Sequence, residues 1–334
     1  MSQKLESWPL SRRGGIISFK SVLLAVLVSF AFYICLFVFV LQKPQTLGQY
    51  QKLIEAKTET LRELANEKKL ILLAGSNGRV SHRAELIGAA IDLPAVNMSI
   101  TASMSLDYQI ERIKKYISSG DVLYLPLEYS QLQKGKKATY SSIEAPYVVA
   151  YDKAALWKFS NERKIHALLY FDVKFIFSAA TEMFLSAMNY RRRITSDDFN
   201  KWGDQTGHTI EKAKSYRDYI ESVEVNVMKT LDATSYSAQT ISSFLQWATD
   251  QGITVVGGYP TLAKGLPIPE DELEALRAFY KDQGHDFLEL PNKGRYPKAH
   301  FFDTIYHLSE PYQINHSKLV GQHLKALLQE KDSI

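Results

Sequence analysis

Hydrophobic residues along the chain fall into a few distinct patterns. The first is a run from Ser21 to Leu41, 21 residues without a charge. As a helix it would span roughly 31 Å, about the hydrocarbon thickness of a bilayer. It is longer than the apolar core of a cleaved signal peptide, and Gln42-Lys43-Pro44-Gln45 offers no small-residue cleavage site. It therefore predicts a retained single-pass anchor. Arg12, Arg13 and Lys20 precede it and charge is sparser just after it, which favours a cytoplasmic N-terminus. Residues 48–69 are charged and helix-prone, with Leu47, Ile54 and Leu61 seven apart, and read as a stalk.

From Leu70 the pattern changes to short buried strands alternating with amphipathic helices. Leu70-Ile71-Leu72-Leu73-Ala74 runs into Gly75-Ser76-Asn77-Gly78, a strand apolar on both faces that stops at a polar turn. A short helix over 83–90, a strand over 95–100 and a helix over 106–118 follow. Asp121 to Tyr129 is a third strand. Strand, helix, strand in this rhythm implies right-handed crossovers and a parallel sheet. Residues 131–145 are polar and loop-like. Residues 153–190 are helical, with apolar clusters at 166–171 and 175–177 and three arginines after them. That segment is either a core helix of an insertion or an amphipathic element lying on the membrane or a membrane partner. Residues 195–208 read as a loop. The rhythm resumes with a helix over 237–251, a strand over 253–258, a helix over 269–283, a strand over 286–290 and a last helix over 311–329. The domains expected are thus a cytoplasmic tail (1–20), an anchor (21–42), a stalk helix (43–69) and an extracytoplasmic domain (70–334) with a helical insertion at about 131–236.

Composition narrows the function. A net charge of +4 over 334 residues argues against nucleic-acid binding. The one cysteine, Cys35, lies in the apolar run, so there is neither an internal disulfide nor a thiolate metal cluster. The eight histidines show no metal-ligand spacing, and His316 and His323 could both face solvent on the last helix. No cofactor is expected.

Ser76 is either a turn residue, the commoner role, or a nucleophile at the carboxyl end of a strand, where open α/β sheets bind ligands. A serine needs a base to take its proton and a carboxylate to orient that base. Asp303 and His307, in a loop before the last helix, supply such a pair, with His300 the nearest rival.

In this order the elements resemble the SGNH (GDSL-like) hydrolase superfamily. The resemblance rests on Gly75-Ser76-Asn77, Asn97-Met98-Ser99, Gly120-Asp121-Val122 leading to Leu127-Glu128-Tyr129, and Phe302-Asp303-Thr304 with Tyr306-His307-Leu308. Within the superfamily the chain is similar to membrane-anchored relatives of the alginate O-acetylation and teichoic-acid D-alanyl transfer proteins. The likeness covers roughly residues 70–130 and 237–328 and leaves out the insertion. It implies an α/β fold, a three-layer parallel-sheet (SGNH/flavodoxin-like) domain. It also implies Ser76 as nucleophile, His307 as general base and Asp303 as its orienting carboxylate. The Ser76 N–H and a backbone N–H near Met98–Ser99 would hold the oxyanion.

Three departures stand out. Ser76 follows Gly75 directly and is followed by Asn77. Ser99 occupies the place of an oxyanion glycine. Glu128 stands where a Gly-x-Asn-Asp block would place an amide, leaving Asn97 as a possible substitute. The implied function is a membrane-anchored acyltransferase or esterase that O-acetylates a cell-surface or exported polysaccharide, with a multi-pass membrane acyltransferase as donor partner. The implied location is the inner membrane, with the main domain in the periplasm. The alternative is a non-catalytic scaffold or polysaccharide-binding protein that keeps a degenerate form of the fold.

Overall fold

A computed structural model describes residues 18–36, 44–170, 172–188 and 198–332. Helix α1 (Phe19–Leu36) is the one described helix long and apolar enough to cross a membrane. The expected span continues to Leu41, beyond the described residues. The expected cytoplasmic tail lies almost wholly outside them too. Helix α2 (Gln45–Glu63) follows. It does not stand off the domain as a stalk, because Leu47, Leu53, Ile54, Lys57 and Leu61 are all buried along it.

The core is a five-stranded parallel sheet. Its strands are β1 (Leu70–Leu72), β2 (Ala95–Asn97), β3 (Val122–Leu125), β4 (Thr254–Gly258) and β6 (Asp286–Leu288), in the order β2-β1-β3-β4-β6. Between β4 and β6 in sequence lies β5 (Leu262–Ala263), which pairs in parallel with β7 (Arg295–Tyr296) in a separate two-stranded ladder. The five main strands are shorter than the runs read from the sequence. Leu73 and Ala74, for example, are buried beyond the end of β1.

After β1 come α3 (Ser76–Ser81) and α4 (Ala84–Ala90); α5 (Leu106–Lys114) joins β2 to β3. Helices α13 (Tyr236–Asp250) and α14 (Glu270–Lys281) precede β4 and β6, and α15 (Glu310–Asp332) closes the chain. The step from β1 to β2 runs opposite to all later steps across the sheet. Right-handed crossovers therefore put α4 on one face and α5, α13 and α14 on the other. The packing agrees: α13 contacts α5, while α15 covers α4 and α3. Lys69 and Asp121, both fully buried, form a 2.8 Å ion pair at the amino ends of β1 and β3, and Asp121 also accepts the Lys69 and Ser118 N–H groups.

The insertion is more helical than expected. Residues 131–145 are not a loop. A 3-10 turn (Tyr129–Gln133) is followed by α6 (Lys136–Tyr140) and α7 (Glu144–Tyr151). A reciprocal cap explains the turn: the Glu128 side chain accepts from the Gln131 backbone while the Gln131 side chain accepts from Glu128 N–H. Beyond it, α8 (Lys153–Lys158), α9 (Asn161–Leu168) and α10 (Val173–Ala187) each restart at an N-cap, Asp152, Ser160 and Asp172. Two further short helices, α11 (Ile210–Ala213) and α12 (Arg217–Ser222), lead to α13. Arg163 holds the insertion to the sheet domain. It pairs with Asp107 and Glu144 and donates to Ser105 Oγ at 2.7 Å.

Candidate active site

In a parallel sheet of this order the direction in which successive connections cross the sheet reverses between β1 and β3, which opens a crevice at their carboxyl ends. Ser76 follows β1 and Glu128 follows β3, so these residues face each other across that crevice. Ser76 Oγ donates to Glu128 Oε1 at 3.1 Å, and the Asn77 N–H donates to the same oxygen at 3.0 Å. Asn77 Nδ2 donates to the Pro126 carbonyl at 2.9 Å, a second tie between the two strand ends. Gly75 makes the approach possible, since a Cβ there would lie 2.5 Å from Glu128 Oε1.

Asp303 and His307 come together in a tight loop. The Phe302 N–H donates to the His307 carbonyl at 2.6 Å, and Phe301 bridges Leu308. His307 Nδ1 is then 2.6 Å from Asp303 Oδ1. Because a carboxylate only accepts, Nδ1 carries the proton and Nε2 is left as the basic nitrogen. Burial pushes the Asp303 carboxyl up, but the His307 imidazole and the Arg79 guanidinium outweigh it and hold the group below its ordinary value.

Ser81 docks this loop onto the serine helix. Its hydroxyl donates to the Tyr306 carbonyl at 2.9 Å and accepts the Leu308 N–H at 2.8 Å, bracketing His307. Five residues of helix separate Ser81 from Ser76, a rise of roughly 7.5 Å. Among the described residues, Ser76 Oγ is hydrogen-bonded to Glu128 and not to His307.

The structure thus gathers Ser76, Asn77 and Glu128 into one group and Asp303 and His307 into a second. Asn97 and Ser99 are elsewhere and fully occupied. Asn97 Nδ2 donates to the Gly78 carbonyl and to Asp204, and its Oδ1 accepts the Ser99 N–H at 3.1 Å. Ser99 Oγ accepts the Ala74 N–H at 2.9 Å. Gly78 keeps this packing close, since a Cβ there would meet Ser99 Oγ at 2.3 Å.

The sequence reading did not find a chain of buried rings behind the site. His316 does not face solvent. Its Nδ1 is 2.7 Å from Tyr296 Oη, and its Nε2 is 3.0 Å from His82 Nε2. His82 Nδ1 in turn lies 3.3 Å from the Asn77 carbonyl. With both rings neutral, one order of donors satisfies every link: Tyr296 to His316, His316 to His82, His82 to Asn77. Burial pushes His82 down to about 4 and His316 well below its ordinary value, which keeps both neutral. Arg79 and His208 were also missed. They bear on the cleft described below, and only tertiary packing reveals them. No group of three potential metal ligands occurs among the described residues.

No protein-family model matches the chain, and no curated protein matches it.

Proposed function

We propose that this chain is a membrane-anchored, serine-dependent acyltransferase or esterase of the SGNH type that modifies a cell-surface or exported polysaccharide by O-acetylation. Ser76 is the nucleophile, His307 the base and Asp303 its orienting carboxylate. The α1 anchor sits in the inner membrane with its N-terminus cytoplasmic, and the α/β domain lies in the periplasm. A multi-pass membrane acyltransferase supplies the acyl group. The observation that carries the reading is the Asp303–His307 hydrogen bond of 2.6 Å, on a loop that Ser81 fastens to the serine helix. In the reaction Ser76 Oγ leaves Glu128, gives its proton to His307 Nε2 and attacks the acyl carbonyl. The proton then goes to the departing group. A polymer hydroxyl, or water in the esterase case, reverses the steps.

Glu128 sets the energetics. A preorganised oxyanion donor is typically worth ~3–4 kcal/mol. A carboxylate ~4 Å from a developing oxyanion costs about 4 kcal/mol at an effective dielectric of 20. The two cancel, so Glu128 must swing away before acylation. The resting state is therefore closed by its own carboxylate. The same contact favours a second reading, a non-catalytic polysaccharide-binding scaffold in which Glu128 permanently fills the oxyanion position.

Labelling of the full-length protein in detergent with a fluorophosphonate separates the two. The catalytic reading expects label on Ser76, lost in Ser76→Ala and slowed by roughly 10³-fold or more in His307→Ala. Wild-type protein that takes no label, or label that persists in Ser76→Ala, removes it.

A further inference from the structure

A cleft of about 2370 Å³ runs beside the candidate site, between α2, α10, the 198–216 segment and Phe302–Asp303. It is larger than a small-molecule pocket and suits a stretch of polymer. Two of its lining side chains carry buried nitrogens with no hydrogen-bond partner among the described residues. Arg79, on α3 one turn after Ser76, is 8% exposed; its Nε has no hydrogen-bond partner among the described residues, and its charge faces the Asp303 carboxylate at the cleft wall. His208 is 2% exposed, and neither of its ring nitrogens is hydrogen-bonded. Its ring packs edge-on against Phe302, 5.7 Å between centroids, next to Asp303. The Gln205 N–H donates to the Arg79 carbonyl, which brings the His208 segment onto α3.

Buried nitrogens left without a hydrogen bond, as Arg79 Nε and both His208 ring nitrogens are among the described residues, are costly in a folded chain, and such groups persist where a ligand completes them. We infer that Arg79 and His208 form an anion subsite that takes a carboxylate or phosphate group carried by the polymer. Arg79 supplies the charge and a planar fork suited to either anion. Burial lowers His208 to about 4, against the pull of the Glu310 carboxylate, so at neutral pH it offers one N–H donor and one acceptor. Placing the polymer here as acyl acceptor rests on the proposed acyl transfer; anion binding does not.

The test is calorimetric titration of full-length protein in detergent with an oligogalacturonate, with inorganic phosphate and with a neutral cello-oligosaccharide. The expected result is binding of one or both anions and not of the neutral oligomer, weakened at least tenfold in Arg79→Met and in His208→Gln. Arg79→Met without ligand should still melt in one cooperative transition, so that lost binding reports the subsite and not unfolding. Anion binding that survives both substitutions, or no anion binding by wild type, overturns the subsite. Anion binding without Ser76 labelling would instead sink the acyl-transfer reading and leave the subsite standing.

A second observation is independent of this site. Val173, Phe177 and Phe184 on α10 and Met188 at its C-cap fall within about 60° of one another at helical spacing. They are 52%, 70%, 66% and 65% exposed. The opposite side of α10 is anchored: Glu182 accepts from Thr46 N–H at 3.1 Å and Thr46 Oγ1 at 2.8 Å, at the start of α2. Tyr33 of α1 donates to the Leu168 carbonyl just before α10. Tyr33 lies in the last turn of α1, so this contact ties α9 to the membrane-length helix near its outer described end. The geometry points to the outer face of α9–α10 lying in the lipid interface beside α1, with the bilayer as its occupant.

Spin labels at Phe177→Cys and Phe184→Cys, in a Cys35→Ser background reconstituted into liposomes, test this against a label at Ser243→Cys on α13. The first two should be accessible to oxygen and shielded from a water-soluble nickel reagent, and the third the reverse. Equal nickel access at all three positions, or burial from both reagents against a second copy, overturns it.

Discussion

At the scale of single residues, the decisive contact is between Ser76 and Glu128. Gly75 admits it and the Gln131 cap fixes it. Much of this was legible. A four-residue aliphatic run ending in Gly-Ser already marks a strand end, and Asp303 four residues before His307 marks a carboxylate–imidazole pair, which the loop brings into hydrogen-bond contact. The role of Glu128 was visible as an anomaly, a carboxylate where an amide is expected, but its partner was not. Nor was the fate of Asn97 and Ser99. They face each other through the backbone geometry after β2, and only packing shows their polar atoms to be used up. Glu128→Ala removes the acceptor and frees the Asn77 N–H. Fluorophosphonate labelling of Ser76 should then speed up by roughly tenfold or more, a lower bound from the charge argument. Loss of the cap should lower stability by about 1 kcal/mol. Slower labelling in this variant would show that Glu128 activates the serine, contrary to the account.

At the scale of elements, the strands and their helices could be read from periodicity because each buried run had one environment. The insertion was harder. Its helices are short and restart at caps rather than continuing one face, so a single period does not describe them. The packing of α15 was hidden for a related reason. His316 looks amphipathic in sequence, yet it points at His82 beneath α3. These buried rings make stability depend on pH. His82 and His208 both titrate near 4 in the folded protein, below the ordinary histidine value. The stability their neutral burial allows is fully present above about pH 6.5 and drains away as pH falls toward 4, by on the order of 3 kcal/mol per ring. Melting temperature should therefore be flat above pH 7 and fall steeply between pH 6.5 and 4. His82→Gln should show a shallower fall. An acid limb of unchanged slope in that variant would mean that other groups control it.

At the scale of the whole molecule, α2 belongs to the domain. Lys57 reaches inside it and donates to the Asn97 and Gly203 carbonyls at 2.6 Å each. Burial holds this lysine's pKa well below the ordinary value. Periodicity showed an apolar stripe on α2 but not which surface it meets, since a stalk and a docked helix carry the same stripe. A fragment beginning at Pro44 should fold cooperatively. One beginning at Lys69 should expose the surface that Leu53, Ile54 and Leu61 cover, and aggregate or bind hydrophobic dye. Equal melting of the two fragments would return α2 to the role of a free stalk. The central claim, that Ser76 carries an acyl group, is tested most directly by trapping. Full-length protein is incubated with an activated acetyl ester, quenched in acid and examined by intact-mass and peptide mass spectrometry. The account predicts one acetyl group on the Ser76 peptide, absent in Ser76→Ala and scarcely formed in His307→Ala. Wild-type protein that stays unmodified, or an acetyl group found on another residue, would contradict it.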